Sequence, residues 1–206
     1  MREIAHLVLV LGLICSLSAG ALAYVRTSLA PRIEMQEDFY VRGPALERLF
    51  QQPAKELLTE KLTVPVGDQD YPVFYLRQDG EVTGLAVEAA GKGGYSGDIV
   101  IMIGLDPRSD RVLGVEIVSH SETPGLGAKV ELASFRQQWT GLILDQPLAL
   151  AGDGGGIDAI TGATFSSRAM VEGSNQVVDL LRDHRQEILS LIEQRSADGA
   201  TSGGES

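Results

Sequence analysis

An uncharged apolar run near the amino terminus constrains the fold of this chain more than any other feature. Residues 4–25 contain no Asp, Glu, Lys or Arg, and as an α-helix they would be about 33 Å long. The hydrocarbon core of a bilayer is roughly 30 Å thick. The run therefore predicts one transmembrane helix, and we assign residues 1–31 to a membrane anchor in contact with lipid.

A cleaved signal peptide is the alternative interpretation of this run. Ala21-Leu22-Ala23 has the small-x-small form of a cleavage site, and Arg2 supplies a minimal positive start. The anchor is favoured because the run is long enough to cross the bilayer. Its orientation does not follow from charge, since Arg2 on one side is opposed by Arg26 and Arg32 on the other.

Composition indicates one modest domain beside the anchor and excludes several classes of function. The chain has 206 residues, 44% of them hydrophobic, and no internal repeat, which fits a single core. Its net charge of −11 makes nucleic acid a poor partner. The one cysteine excludes both an iron–sulfur cluster and an internal disulfide.

Metal and nicotinamide sites are also not expected. The chain has three histidines, His6, His120 and His184, which makes haem ligation or a three-histidine zinc site improbable. The glycine-rich residues 91–97 lack the spacing of a dinucleotide-binding fingerprint. An organic cofactor is what remains for redox chemistry.

Strand-like segments separated by turn-forming residues occupy the middle of the chain. The third of them is almost continuously apolar, which is typical of a central strand covered on both faces. The connections are short, so the pattern predicts an antiparallel meander. The predicted strands are residues 73–77, 81–89, 98–105 and 111–118.

Helices are predicted on both sides of this meander. Residues 34–62 favour helices broken near Gly43-Pro44 and Pro53, and a short helix is expected at 131–139. A long amphipathic helix follows residue 165, with apolar residues at helical spacing. These apolar positions are Met170, Val177, Leu181, Ile188 and Ile192.

The predicted fold class is thus α+β, an antiparallel sheet with flanking helices plus one N-terminal transmembrane helix. After the anchor we expect a helical linker region at residues 32–71 and the sheet-containing domain at 72–196. Residues 197–206 have no apolar periodicity and predict a disordered tail.

Residues 158–164 read Asp-Ala-Ile-Thr-Gly-Ala-Thr and form the first candidate site. Gly162 and Ala163 leave slim, accessible backbone beside the hydroxyl of Thr164. Ser166 and Ser167 are helix-capping residues, which places Thr164 just ahead of a helix whose amino-terminal end favours an anion. The alternative interpretation is an ordinary loop between a strand and a helix.

A second segment, residues 120–127, reads His-Ser-Glu-Thr-Pro-Gly-Leu-Gly. Pro124 and Gly125 are well suited to a tight turn, and the segment follows the last predicted strand. It either forms only that turn or meets the Thr164 loop at a ligand site, because loops on a rigid sheet commonly hold ligands.

Together these segments resemble the membrane-anchored FMN-binding subunits of electron-transport complexes. That family includes the G subunits of Rnf-type ion-translocating oxidoreductases and the C subunits of sodium-translocating NADH:quinone reductases. Its acceptor pattern is Asp, two free positions, Ser or Thr, then Gly-Ala-Thr. The resemblance extends from Gly94-Tyr95-Ser96-Gly97 through the final helix. Chain length favours the Rnf-type subunit, because the quinone reductase subunit is usually longer.

The resemblance implies that FMN is attached covalently, by a phosphoester, to Thr164. A flavin transferase would carry out the attachment and would read the surrounding Asp158, Thr161, Gly162 and Ala163. Residues 72–196 would then be the FMN-binding domain. From the second segment, His120, Glu122 and Thr123 would provide hydrogen bonds to the cofactor. No catalytic residue and no metal ligand is expected.

The resemblance also implies a role and a location. The chain would be an electron carrier among other membrane subunits of a complex that couples electron flow between ferredoxin and NAD to ion movement. It would be a single-pass protein of the bacterial cytoplasmic membrane with its domain on the periplasmic side, and it would have no turnover alone. The alternatives are an independent membrane-tethered flavin reductase and a cofactor-free adaptor in which Thr164 is only structural.

Overall fold

The helices and strands are given by a computed structural model, which describes residues 2–67, 69–109 and 111–202. The α-helices are α1 (Arg2–Glu37), α2 (Gly43–Phe50), α3 (Ala54–Leu57), α4 (Ala133–Arg136) and α5 (Thr164–Ser202). The strands are β1 (Lys61–Val66), β2 (Gln69–Gln78), β3 (Glu81–Gly91), β4 (Ile99–Asp106) and β5 (Arg111–Ser119). A π-helical turn, Asp38–Arg42, joins α1 to α2, and 3-10 turns lie at Gly127–Glu131, Gln137–Trp139 and Ala151–Asp153.

The five strands form one antiparallel sheet in the order β1-β2-β3-β4-β5. The predicted α+β class and the meander are therefore confirmed. The β2–β3 hairpin turns on Asp79-Gly80, whose φ angles of 52° and 84° are those of a type I′ turn. Strand β4 is buried along almost its whole length, as its continuous apolar sequence predicts.

Strand β1 corrects the prediction of a helical linker over residues 32–71. The helical part ends at Leu57, and residues 61–66 pair with β2 instead. The sequence does not reveal this strand because Pro65 interrupts a short run of strand-forming residues. Pro65 is tolerated because β1 is an edge strand, where one missing backbone donor can face solvent.

The sheet is buried on both faces by different helices. Helix α5 packs on one face, and the predicted residues Met170, Val177, Ile188 and Ile192 are all buried there. Helices α2 and α3 cover the other face around a second, smaller cluster. That cluster contains Ala45, Leu46, Leu57, Phe74, Ala86 and Met102.

Helix α5 extends further than the sequence predicts. It reaches Ser202 and so includes residues 197–202, where the sequence predicts disorder. The physical reason is that extending an existing helix requires ordering one residue for each hydrogen bond gained, whereas starting a helix is costly. The last four residues of the predicted tail, 203–206, lie outside the described residues.

Helix α1 contains the predicted membrane segment. Within its residues Arg2–Ala30, an 18-residue window has a mean hydropathy of 2.2, and none of the residues in that window is buried inside the protein. By length and composition this segment can cross a membrane once. The helix continues to Glu37, beyond the predicted anchor boundary at residue 31.

A cluster of charged residues joins the end of this helix to the sheet. The Arg42 guanidinium donates from Nε to Oε2 of Glu88 at 2.6 Å and from Nη2 to Oε1 at 3.0 Å. It also donates to Asp38 at 2.8 Å, and Asp38 accepts from Lys61 of β1 at 3.0 Å. The Arg42 and Glu88 side chains are only 13% and 10% exposed. Hydrogen bonding to Glu88 raises the pKa of Arg42.

A second pair lies on the same row of the sheet. Glu88, Met102 and Glu116 are register partners across β3, β4 and β5. Arg48 of α2 contacts Glu116 at 2.6 Å, but its side chain is half-exposed, and Glu116 also accepts from Arg136. Two arginines of one helical segment thus meet two glutamates of one sheet row.

We expect Arg42→Ala to lower the free energy of unfolding by about 3 kcal/mol, because it leaves the Glu88 carboxylate buried without its partner. Arg48→Ala, the matched control, should cost under about 1 kcal/mol, because Arg48 is half-exposed and Glu116 keeps Arg136. Urea unfolding of the full-length chain in detergent, followed by the fluorescence of the single tryptophan Trp139, measures both. Equal losses would contradict the prediction.

Candidate functional site

Thr164 is presented by a tight turn that leads directly into α5. The N–H of Ala163 donates to the carbonyl of Ile160 at 2.9 Å, and Gly162 has a φ of 81°. These features define a type II turn with glycine at its third position, where a positive φ is required. Thr164 is exposed and is the first residue of the helix.

The second predicted segment forms a turn of the same type. The N–H of Leu126 donates to the carbonyl of Thr123 at 3.2 Å, and Gly125 has a φ of 78°. Pro124 occupies the second position, where its fixed φ is favourable. The tight turn predicted from Pro124 and Gly125 is therefore present.

The two turns converge on one small pocket. Leu126 reaches across to Gly162, where its Cδ2 would lie 3.8 Å from a β-carbon at that position. The pocket has a volume of about 70 Å³. Its walls come from the glycine-rich loop, the two turns and the first turn of α5. The lining residues are Tyr95, Glu122, Thr123, Leu126, Gly127, Gly162, Ala163, Thr164, Phe165 and Ser166.

Large apolar side chains surround the pocket and remain in solvent. Tyr95 is 75% exposed, Phe165 is 59% exposed and Leu126 is 50% exposed. Grouped apolar exposure of this kind is more typical of a ligand or partner site than of an ordinary surface. The pocket can therefore accept a flat apolar group beside the Thr164 hydroxyl.

The start of α5 places backbone N–H groups without helical hydrogen bonds at this site. The first hydrogen bond of the helix runs from the N–H of Ser167 to the carbonyl of Ala163 at 3.0 Å. The N–H groups of Thr164, Phe165 and Ser166 precede it and have no helical carbonyl to bond. These groups and the helix dipole favour an anion at Thr164.

Ser166 and Ser167 do not cap the helix as predicted, because α5 begins at Thr164 and both serines lie inside its first turn. The Ser167 hydroxyl donates to the carbonyl of Ala163 at 3.0 Å and accepts the N–H of Ile160 at 3.0 Å. It therefore braces the turn before the helix. Ser166 bonds to Glu122 instead.

Glu122 and His120 both form hydrogen bonds to other residues of the protein. The Glu122 side chain is buried, and its two oxygens accept from the N–H of Ser96 at 3.1 Å and from the Ser166 hydroxyl at 2.9 Å. The Glu122 N–H donates to Nδ1 of His120 at 3.0 Å. Nε2 of His120 therefore carries the ring hydrogen and donates to Glu131 at 3.1 Å.

The predicted site residues fall into two groups. The larger group lines the pocket and consists of Glu122, Thr123, Gly162, Ala163 and Thr164. The remaining three do not line it. These are His120, Asp158 and Thr161.

Asp158 and Thr161 are exposed residues of the segment that leads to Thr164. The backbone of Asp158 is held by Gln138, which accepts its N–H at 2.7 Å and donates to its carbonyl at 3.3 Å. This leaves the Asp158 side chain in solvent, where an approaching protein can contact it.

Sequence reasoning missed the apolar part of the pocket. Its members lie within or next to the segments 94–97, 120–127 and 158–164: they are Tyr95, Leu126 and Phe165. The signal in the sequence was a bulky apolar residue among turn-forming residues. Trp139 does not line the pocket; it is fully buried and donates to the Ser174 hydroxyl at 2.9 Å.

Comparison with known proteins identifies related chains. Residues 94–179 match the family described as the FMN-binding domain. The G subunit of the ion-translocating oxidoreductase complex of Shewanella piezotolerans is 32% identical over 195 residues, which cover 88% of this chain and 91% of that protein. The same subunit of Aliivibrio fischeri is 37% identical over 132 residues, which cover 60% of this chain and 61% of that protein.

A solved structure shares the fold. The crystal structure of the C subunit of Na⁺-translocating NADH-quinone reductase from Parabacteroides distasonis aligns with a TM-score of 0.57 and 20% sequence identity. The alignment covers 74% of this chain and 95% of that one. The overall fold is thus one already seen in a solved structure.

Gly125→Ala and Gly162→Ala should each lower the free energy of unfolding by about 1 kcal/mol, because a β-carbon disfavours a positive φ. Gly156→Ala is the control, since Gly156 has open space and no positive φ. Thermal unfolding of the three variants measures the difference. If Gly156→Ala lowered the free energy of unfolding as much as the other two variants, the positive φ angles of the turns could not be the cause.

Proposed function

The chain belongs to the family of G subunits of ion-translocating oxidoreductase complexes, and from this premise we propose that it is a membrane-anchored flavoprotein electron carrier. FMN would be joined through its phosphate to Thr164. The observation that carries the proposal is the exposed Thr164 hydroxyl at the first residue of α5, next to an apolar pocket and within the acceptor pattern.

Attachment at Thr164 is a phosphoryl transfer. A flavin transferase would supply FMN as half of a dinucleotide. The bond between the Thr164 hydroxyl oxygen and the FMN phosphorus forms as the phosphoanhydride bond of that dinucleotide breaks. The hydroxyl proton passes to a base of the transferase, and the other nucleotide leaves with the bonding electron pair. No residue of this chain need act as a catalyst, because its task is to present the hydroxyl.

The residues around Thr164 fit both ends of the cofactor. The N–H groups at the start of α5 would face the phosphodiester, whose negative charge the helix dipole favours. The exposed side chains of Tyr95, Leu126 and Phe165 would contact the flat ring system. When bound, FMN supplies one-electron and two-electron transfer.

The small volume of the pocket supports a carrier rather than an independent enzyme. Enclosed ligand sites usually measure roughly 300–1,000 Å³, whereas this pocket measures about 70 Å³. It would hold only part of the flavin, so the rest of the ring would remain open to neighbouring subunits. Electrons would then pass directly between carriers within the complex.

The anchor and the partners follow from the same proposal. Membrane lipid around α1 would keep the domain beside the other membrane subunits, which raises its effective concentration near them. The complex would couple electron transfer between ferredoxin and NAD to ion movement, and the chain alone would have no turnover.

The domain would lie on the periplasmic side of the bacterial cytoplasmic membrane. A flavin held by hydrogen bonds alone could be lost there without replacement from the cytoplasmic pool. A covalent bond at Thr164 prevents that loss. The attachment chemistry and the location thus support each other.

Thr164→Val should abolish covalent flavin, because it removes the accepting oxygen with almost no change in shape. Thr164→Ser keeps a hydroxyl and should still be labelled. Ultraviolet fluorescence of the denatured protein band, after coexpression with a flavin transferase, measures both. If the band of the unsubstituted chain did not fluoresce while the transferase was active on a control substrate, the result would contradict the proposal and favour a cofactor-free adaptor. Oxidation of NADH by the isolated chain would favour a reductase.

Lys55→Cys should react with a membrane-impermeant maleimide in intact spheroplasts, because Lys55 is an exposed residue of α3 beyond the anchor. The background is Cys15→Ser, and the control is Glu3→Cys, at the opposite end of the span, which should react only after lysis. Mass spectrometry of the purified chain measures labelling. The reverse pattern would place the domain in the cytoplasm.

A further inference from the structure

We propose that Glu122 is a positioning residue for flavin attachment, which fixes three loops around Thr164 and does not itself bond the flavin. This inference rests on the function proposed above. The three segments are the glycine-rich loop at residues 94–97, the turn at 123–127 and the first turn of α5. They lie far apart in the chain and meet at one buried carboxylate.

Each oxygen of the carboxylate accepts one hydrogen bond from a different segment. Oε1 accepts the N–H of Ser96 at 3.1 Å, and Oε2 accepts the Ser166 hydroxyl at 2.9 Å. Ser166 lies two residues after Thr164 in the same helical turn. The bond from Glu122 therefore holds the turn that presents the acceptor hydroxyl.

The absence of side chains at two glycines leaves the room that the Glu122 carboxylate occupies. A β-carbon at Gly94 would lie 2.7 Å from Oε1, and one at Gly127 would lie 2.2 Å from Oε2. Both distances are well below any normal contact, so a larger residue at either position would displace Glu122. The two loops are thus shaped to close on this side chain, one against each oxygen.

The backbone of Glu122 is fixed as well. Its N–H donates to Nδ1 of His120, and the opposite ring nitrogen of His120 contacts Glu131 at 3.1 Å. His120 does not line the pocket. It acts on the site through Glu122, which is part of the pocket wall, so His120 supports that wall from behind.

Burial disfavours a direct hydrogen bond between Glu122 and the flavin. The Glu122 residue is only 5% exposed, and the backbones of Gly94 and Gly127 each close on one of its oxygens, which leaves a flavin donor little room to approach. The geometry instead leaves the outer face of the pocket to Thr123 and the apolar side chains. This differs from the role that the sequence suggested, in which Glu122 was a hydrogen-bonding partner of FMN.

The first test compares Glu122→Ala and Glu122→Gln in the full-length chain, with Glu56→Gln, at an exposed residue of α3, as the control. The readout is kcat/KM for flavin incorporation by a purified transferase supplied with its dinucleotide donor. We expect Glu122→Ala to lower kcat/KM by about tenfold or more, because the acceptor is no longer held in place. Glu56→Gln should match the natural chain.

Glu122→Gln should stay within about threefold of the natural chain, since its amide oxygen can accept from Ser96 and its amide N–H can donate to the Ser166 hydroxyl. The absorption spectrum of its attached flavin should be unchanged. A shifted spectrum would show that Glu122 contacts the ring and would overturn the proposal. A folded Glu122→Ala chain labelled at the natural rate would overturn it too.

Hydrogen exchange of the unlabelled chain gives a readout that does not depend on flavin. Glu122→Ala should raise exchange of the Ser96 N–H by about tenfold, because its acceptor is gone, and should also raise exchange in the first turn of α5. If that variant does not fold, Ser166→Ala removes one bond and should raise exchange at the start of α5. Unchanged exchange in a folded variant would overturn the proposal.

The two proposals fail in different ways. A natural chain that an active transferase leaves unlabelled contradicts flavin attachment at Thr164. The exchange data would then still decide whether Glu122 holds the three loops together.

Discussion

The structure depends on a direct backbone contact between α5 and β3. A β-carbon at Gly91 would lie 1.9 Å from the carbonyl oxygen of Ala169, and one at Gly173 would lie 3.0 Å from the N–H nitrogen of Gly91. Only glycine allows a helix and a strand to approach this closely. The contact fixes the height and position of α5 on the sheet, and Thr164 is held little more than one turn before Ala169. Thr164 thus sits on a rigid element, which is the condition that the proposed flavin attachment would require for precise presentation of its hydroxyl.

The same strand also carries the connection to the membrane. Glu88 and Gly91 are three residues apart in β3, so they face opposite sides of the sheet. Glu88 binds Arg42, which lies in the turn after α1, whereas Gly91 contacts α5, the helix that begins at Thr164. Helix α1 has 36 residues, about 54 Å in length, of which a bilayer core takes roughly 30 Å. Helix α1 is therefore longer than a bilayer core, and β3 connects its end, through Arg42, to the helix that begins at Thr164.

Local chemistry was predictable from the sequence, and contacts between distant segments were not. A few adjacent residues are enough to recognise the acceptor pattern, the two glycine turns or the apolar strand β4. Strand β1 was hidden by Pro65, whose tolerance depends on the edge position that only the assembled sheet defines. The bonds of Glu122 span 26 and 44 residues along the chain. Periodicity and motif spacing carry no information about such contacts.

The shape of the pocket explains why a covalent bond would be needed at all. Affinity for a free cofactor comes mainly from the surface that is buried on binding, less the cost of losing its freedom of motion. A pocket of about 70 Å³ beside three exposed apolar side chains buries little of a flavin. Enclosing the ring would improve affinity but would separate it from neighbouring carriers. A bond at Thr164 removes this conflict, because retention no longer depends on burial. The protein then needs only to hold one hydroxyl in place, which is what α5, the two turns and Glu122 together provide.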